Sequence, residues 1–348
     1  MKDKIKIGNH SIGKDCPVYL IAEIGSNFDG DLKRAKYLVD LAVDCGANAA
    51  KFQTFRSETI INKEAFKVSS SFQVKWNKPV WDVYKQAEFP FEWHKDISDY
   101  CASRHVDFLT SPYDFEAVEM LEELGIPAYK IGSGEITNLE FLEYVAQKNK
   151  PIILGCGAAT MGEISEAVKA IRSGGNDDIV LLQCVTMYPS PFEDANIRAM
   201  CTLRDAFDCL TGYSDHTPGS IVPLGAVALG GCVIEKHFTD DKTRNGPDHP
   251  FAMDIDDFKK MSSAIRTLEL ALGSPIKDIY PCESETMILQ RRSIFAAVNI
   301  PKGTLITPEM ISVLRPQKGL LPKYKSVVIG RTARVDITAG EPITWEKV

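Results

Sequence analysis

Apolar runs and helix-period segments take turns along most of the chain. The runs are VYLIAEIG (18–25), AAKFQTF (49–55), VDFLTSP (106–112), AYKIGSG (128–134), PIILGCG (151–157), IVLLQCV (179–185), CLTGYSD (209–215) and CVIEKHF (232–238). Short apolar runs punctuated by Gly and Pro suit strands buried on both faces. Between them, apolar residues recur at three- and four-residue spacing. Clear cases are Leu32 to Asp44, Phe91 to Arg104, Phe115 to Leu124 and Met161 to Ser173, and further segments start near Asn196, Gly219 and Ile255. Eight strands alternating with eight helices over about 250 residues predict an α/β fold of the (β/α)8 TIM-barrel type. No GxGxxG run follows the first strand, which weighs against a dinucleotide-binding open sheet.

At the N-terminus, KIKIG and CPVYL flank a polar turn, and residues 1–17 are assigned to a β-hairpin. The connection from Arg56 to Pro90 is long and carries Trp76, Trp81 and Tyr84. A connection of that length is expected to be a lid, a binding loop or a packing excursion over the barrel mouth. After Leu272 the rhythm stops. Residues 1–272 are assigned to the barrel and 273–290 to a linker ending in a short helix. Residues 291–348 are assigned to a small β-rich domain, in which Ile300–Thr307 (IPKGTLIT) is echoed by Ile337–Thr344 (ITAGEPIT). The echo implies a pseudo-symmetric pair of turn-plus-strand units.

Charge and cysteine usage narrow the functional classes. The 348 residues carry a net charge of -7 with no basic run, which argues against nucleic-acid binding. No apolar stretch reaches membrane-spanning length, and MKDKIKIGNH has no signal-peptide core. The nine cysteines form no CxxC pair, and Cys184, Cys209 and Cys232 sit inside apolar runs. They read as reduced, buried thiols of a cytoplasmic protein.

Polar residues collect near the C-terminal ends of the runs, where barrel enzymes keep their active sites. They are Glu23, Lys51 and Gln53, Thr110 and Ser111, Lys130, Ser133 and Glu135, then Gln183, Thr186 and Tyr188, Ser214 and His216, and Glu235 and His237. Asp248 and His249 follow the last run. Alternate residues of a strand share a face, so Lys51 pairs with Gln53, and Glu235 with His237. Two lysines among hydroxyls suit a phosphate-bearing substrate. Two histidines on successive strands suit a divalent metal with open positions. Carboxylates beside them can orient hydroxyls or move protons. Taken singly, each lysine also fits a barrel-interior ion pair, and Thr110 and Ser111 also fit a helix cap.

The motifs AEIGSNFDG (22–30), KFQTF (51–55), AYKIGSGE (128–135), YPSPFED (188–194), GYSDHTPG (212–219), EKHFTDD (235–241), GPDHPFAMD (246–254) and LRPQKG (314–319) together resemble the sialic acid synthase family. The family joins phosphoenolpyruvate to an N-acylated mannosamine-type sugar. The resemblance spans nearly the whole chain and implies an antifreeze-like (SAF, β-clip) C-terminal domain. It implies that His216 and His237 hold Mn²⁺, or Mg²⁺ or Co²⁺, and that Lys51, Ser111, Lys130, Ser133 and Ser214 bind phosphoenolpyruvate. Glu23, Gln53, Thr186, Tyr188 and Asp248 would position the sugar, with Glu23, Glu135 and Glu235 as acid, base or water-orienting groups. It also implies a domain-swapped homodimer in which Arg315 reaches the sugar's N-acyl group in the partner subunit. Phe28, Gly155-Cys156, Gln183 and Thr186 depart from the usual residues, which bears on substrate identity more than on reaction type. AEIG is closer to the neuraminic and legionaminic branches than to the pseudaminic one. Two rival readings are a Schiff-base aldolase using Lys130 or Lys51, and a binding protein whose C-terminal module recognises ice or a glycan.

Overall fold

Alternation within each strand decides which side chains meet the barrel axis. In the computed structural model, which describes residues 2–65 and 78–348, the strands are β1 (Tyr19–Glu23), β2 (Ala49–Thr54), β3 (Asp107–Pro112), β4 (Tyr129–Ile131), β5 (Ile152–Gly155), β6 (Ile179–Cys184), β7 (Leu210–Asp215) and β8 (Val233–His237). Their hydrogen-bonded order is β3-β2-β1-β8-β7-β6-β5-β4, with every ladder parallel. The two ends of that order, β3 and β4, pack side by side, so the sheet curls into a TIM-type barrel. Helices α1 (Leu32–Asp44), α2 (His94–Ser103), α3 (Phe115–Leu124), α4 (Leu139–Ala146), α5 (Met161–Ser173), α6 (Arg198–Phe207), α7 (Ile221–Ala228) and α8 (Ile255–Leu272) follow the strands in turn.

Local sequence sets where several of these helices start. Asp31, Asp114 and Asp254 accept backbone N–H groups at the starts of α1, α3 and α8. Thr160 and Glu163 form a reciprocal capping box at α5.

Two apolar cores follow from the alternation. Leu20, Ala22, Ala50, Phe52, Phe108, Ile152, Leu154, Leu181, Tyr213 and Ile234 face the helices. Tyr19, Ile21, Ala49, Leu109, Ile153, Val180, Leu182, Leu210 and Val233 face the axis and fill its N-terminal half. The hairpin joins this inner core through Ile5, Ile7 and Ile12. Its arms are Lys4–Ile7 and His10–Gly13. CPVYL is therefore not its second arm: Tyr19 and Leu20 already belong to β1, where they pair with Val233 and Ile234. Under the hairpin, Asp107 accepts from the Tyr19 hydroxyl at 2.7 Å and lies 3.0 Å from His10 Nδ1.

The described parts of the β2–α2 connection contain two short helices, Ser57–Ile60 and Val80–Ala87. Trp81 lies under the Lys63 ammonium, whereas Trp76 lies outside the described residues. The chain divides into two compact units, Met1–Gly273 and Ser274–Val348. In the second, a helix spans Ser284–Gln290, and Ser293–Ala296 pairs antiparallel with Ile311–Leu314. The echoed segments meet each other: Ile300 and Ile337 exchange backbone hydrogen bonds of 2.8 and 2.9 Å, and both are buried beside Ile306 and Ile343. No helix among the described residues is long and apolar enough to cross a membrane.

Candidate active site

Toward the C-terminal ends of the strands, the axis-facing positions change from hydrocarbon to charge. In the ladders, Glu23 lies opposite Lys51 and His237, Gln53 opposite Ser111, and Glu235 opposite Ser214. Lys51 Nζ donates to Glu23 Oε2 at 2.6 Å, and Gln53 donates to Glu23 Oε1 at 2.7 Å. Glu235 accepts the Ser214 hydroxyl at 2.7 Å, with Lys130 Nζ at 3.6 Å and Lys51 Nζ at 3.8 Å. All of these except Gln53 are buried, so the site contains two ammonium groups and two carboxylates in a low-dielectric environment.

The protonation states follow from these contacts. Burial pushes the Glu235 carboxyl up, but Lys130, Lys51 and the Ser214 hydroxyl outweigh it and hold the group well below the usual carboxylate range. Burial likewise lowers Lys51, yet Glu23 and Glu235 leave its ammonium more firmly protonated than usual. Glu135, just beyond β4, moves the other way: burial raises its carboxyl, with a smaller opposing contact from Asn138. Glu235 Oε2 is buried and meets no hydrogen-bond partner.

His216 and His237 complete the cluster, their ring centroids 5.4 Å apart. Burial, helped by His237, pushes His216 down to about 3, so its imidazole is neutral. Its Nδ1 lies 2.8 Å from the Val185 carbonyl, which puts the proton there and leaves the Nε2 lone pair free. His237 Nδ1 is buried without a partner. Tyr188 packs 4.2 Å from the His216 ring, and Phe251 4.8 Å from that of His237. The neutral His216 imidazole and the unpartnered ring nitrogen of His237 fit a divalent ion that keeps positions open for exchangeable ligands. No cluster of three or more His, Cys, Asp or Glu with metal-binding geometry occurs among the described residues, so a closed structural metal site is not formed there.

A cavity of about 320 Å³ opens over the cluster, lined by Gln53, Glu135, Tyr188, His237 and Asp248 together with Ser26, Tyr84, Tyr113 and Phe251. Asp248 is fixed by the backbone N–H and hydroxyl of Ser26, at 3.1 and 2.8 Å. Ser133 accepts the Gly157 N–H at 2.9 Å. A Cβ at Gly155 would stand 2.7 Å from the Ser133 hydroxyl, so the glycine makes room for that serine. Thr186 lies against Gly157, and Cys184 faces inward with its thiol pushed up to about 11 by burial, hence unreactive. Gly25 has a left-handed φ of 53°, and a Cβ there would sit 2.7 Å from Asp248 Oδ2. Gly25→Ala is therefore expected to lose about 1–2 kcal/mol from the backbone alone, checked by denaturant titration.

Several polar residues read as strand-end groups fall elsewhere. Thr110 faces the helices, 2.7 Å from the Thr54 hydroxyl, which in turn contacts His94. Gln183 also points away from the axis, on the face where the neighbouring Tyr213 hydroxyl donates to Ala195 O. Phe28 is buried against Phe89 and Trp93. The departures at Phe28 and Gln183 therefore sit in the outer core and not in the cavity. His249 is structural, held between Thr239 Oγ1 at 2.7 Å and Asp29 at 2.9 Å. Arg315 stands exposed in the second unit, after the strand Ile311–Leu314. Tyr84 joins the cavity from the helix Val80–Ala87, and Tyr113, Phe251 and Ser26 join it from the connections after the strands, where no periodicity announces them.

Paired carboxylates, two buried ammonium groups and two imidazoles gathered at the strand C-termini are the arrangement of a barrel enzyme's active site. Residues 38–277 match the NeuB family and residues 291–348 the SAF domain, and the chain belongs to the NeuB family. It is 38% identical to the N,N'-diacetyllegionaminic acid synthase of Campylobacter jejuni, over 90% of this chain and 95% of that protein. It is 37% identical to the pseudaminic acid synthase of Helicobacter pylori, over 95% and 98%. The crystal structure of the N-acetylneuraminic acid synthetase of Leptospira borgpetersenii, in complex with citrate, superposes with a TM-score of 0.73 at 34% identity, covering 82% of this chain and 95% of that one.

Proposed function

We propose that the chain condenses phosphoenolpyruvate with the open-chain form of an N-acylated mannosamine-type sugar and water, giving a nonulosonic acid and inorganic phosphate. The observation that carries this reading is the pair of buried ammonium groups, Lys51 and Lys130, gathered at Glu235 beside two free imidazoles. Lys51, Lys130, Ser111, Ser133 and Ser214 take the phosphate and carboxylate of phosphoenolpyruvate. Glu23, Gln53, Thr186, Tyr188 and Asp248 orient the sugar chain. His216 and His237 would hold a divalent ion, Mn²⁺ in our reading, which when bound polarises the aldehyde oxygen.

The two carboxylates with opposite shifts divide the proton work. Glu135, raised by burial, delivers a proton to the aldehyde oxygen as carbon three of the enol attacks the aldehyde carbon. Glu235, firmly ionised, faces the positive charge that develops at carbon two and takes a proton from the water that adds there. Carbon–oxygen cleavage then releases phosphate. The raised Lys51 ammonium is a poor amine nucleophile, which disfavours Lys51 as the Schiff-base residue of an aldolase. Arg315, on the small module, is assigned to the N-acyl group across a domain-swapped homodimer on the strength of the resemblance.

The Campylobacter relative's name specifies an N,N'-diacetyl product, so a 2,4-diacetamido-2,4,6-trideoxy sugar is the acceptor we favour over N-acetylmannosamine or its 6-phosphate. The test is phosphate release from phosphoenolpyruvate with Mn²⁺ and each sugar in parallel. EDTA-sensitive release with the diacetamido sugar is expected. Release that survives EDTA, with borohydride trapping of the protein, would replace this reading with the aldolase.

A further inference from the structure

The ends of β7 and β8 read Ser-Asp-His and Glu-Lys-His. Ser214, His216, Glu235 and His237 turn to the axis, while the middle residues, Asp215 and Lys236, turn to the helices. These two lie directly opposite in the ladder. Lys236 Nζ stands 2.6 Å from Asp215 Oδ2, with side chains 2% and 0% exposed. Lys236 also donates to the Thr217 carbonyl. Asp215 accepts the Thr217 N–H at 2.9 Å and its hydroxyl at 3.1 Å. The pair is thus satisfied and closed, and neither member lines the cavity described above.

No step of the proposed reaction uses these groups, and stability alone does not account for them. A well-packed apolar pair of similar volume is often as stable as a buried ion pair, or more so. An ion pair differs in accepting only one register, because a slip along the ladder separates the charges. Here the register it enforces belongs to the two strands that deliver His216 and His237. The same carboxylate also grips Thr217, fixing the turn immediately after His216, whose Nδ1 is aimed at the Val185 carbonyl.

We propose that Asp215 and Lys236 form a positioning pair that sets the separation and aim of the His216 and His237 imidazoles for a divalent metal ion. The proposal rests on the reading of those histidines as metal ligands. Its test compares wild type, the near-isosteric Asp215→Asn, and the double variant Asp215→Leu/Lys236→Met. Melting of the metal-free protein and the Mn²⁺ dissociation constant, from the electron paramagnetic resonance signal of free Mn²⁺, are read for each. The double variant is expected to melt near wild type yet bind Mn²⁺ about 10–100-fold more weakly. Asp215→Asn should show the same weakening at temperatures where it is folded, with turnover largely restored by saturating Mn²⁺. Wild-type Mn²⁺ affinity in a folded variant of either kind would overturn the proposal and leave the metal reading intact. A wild-type protein that binds no Mn²⁺ would overturn both. If the double variant does not fold, Asp215→Asn alone decides.

Discussion

Glu235→Gln is expected to cut turnover by about 10²–10⁴-fold, the range for loss of a positioned acid–base group. The amide keeps the shape and can still accept from Ser214, so the loss reports charge. It removes the carboxylate shared by Lys51 and Lys130 and directs N–H groups toward ammoniums. Lys51 retains Glu23, but Lys130 loses its carboxylate. Removing one partner of a buried pair costs up to about 3–5 kcal/mol, so melting should fall as well. The sign of the pH dependence follows from the lowered carboxyl. A group bound more acidic in the folded state stabilises it fully above its ordinary value of 4.5, and this stabilisation is lost as pH falls toward about 2. Wild-type stability should therefore drop across that window more steeply than that of Glu235→Gln. Thermal melting at a series of acidic pH values, with steady-state phosphate release near neutrality, checks both parts. Equal slopes would mean that Glu235 is not held ionised by the lysines.

His237→Ala is expected to abolish EDTA-sensitive turnover, by about 10³-fold or more if several kcal/mol of electrophilic stabilisation is lost. His237 is a clean target because its Nδ1 makes no protein hydrogen bond that the substitution would orphan. What the fold loses is ring packing against Phe251 and His216. The circular dichroism spectrum should be preserved while Mn²⁺ binding is lost. Retention of Mn²⁺ binding with normal turnover would remove His237 from the ligand set and leave its contact with Phe251 as its role.

Most of the floor of the site is legible from strand phase. Once Lys51 and Gln53, or Glu235 and His237, are placed on one face, the parallel ladders bring Glu23, Ser111 and Ser214 beside them. The same phase misleads where a polar residue sits one place off. Thr110 precedes the inward Ser111 and turns to His94 through Thr54, and Gln183 lies between the inward Leu182 and Cys184. In a strand buried on both faces, flanking apolar residues do not mark which side is the axis. CPVYL misleads for a related reason: its β-propensity is genuine, but it serves the barrel and not the hairpin. Tyr113 and Phe251 enter from loops, whose course depends on tertiary packing. Asp215 and Lys236 are visible in the sequence only as charges inside apolar strands, and their mutual contact emerges from register alone.

The hairpin of residues 4–13 has a consequence for traffic through the molecule. With Ile5, Ile7 and Ile12 packed into the inner core and Asp107 tied to Tyr19 and His10, one end of the barrel is stoppered. Among the described residues, the reacting groups open to solvent at the other end, past Tyr188, Phe251 and the helix Val80–Ala87. In the proposed reaction, reactants and products would both use that passage. On the proposed reading, phosphoenolpyruvate held against the lysines would lie deeper than the sugar, so an ordered sequence of arrival and departure would be a matter of plumbing before it is one of affinity.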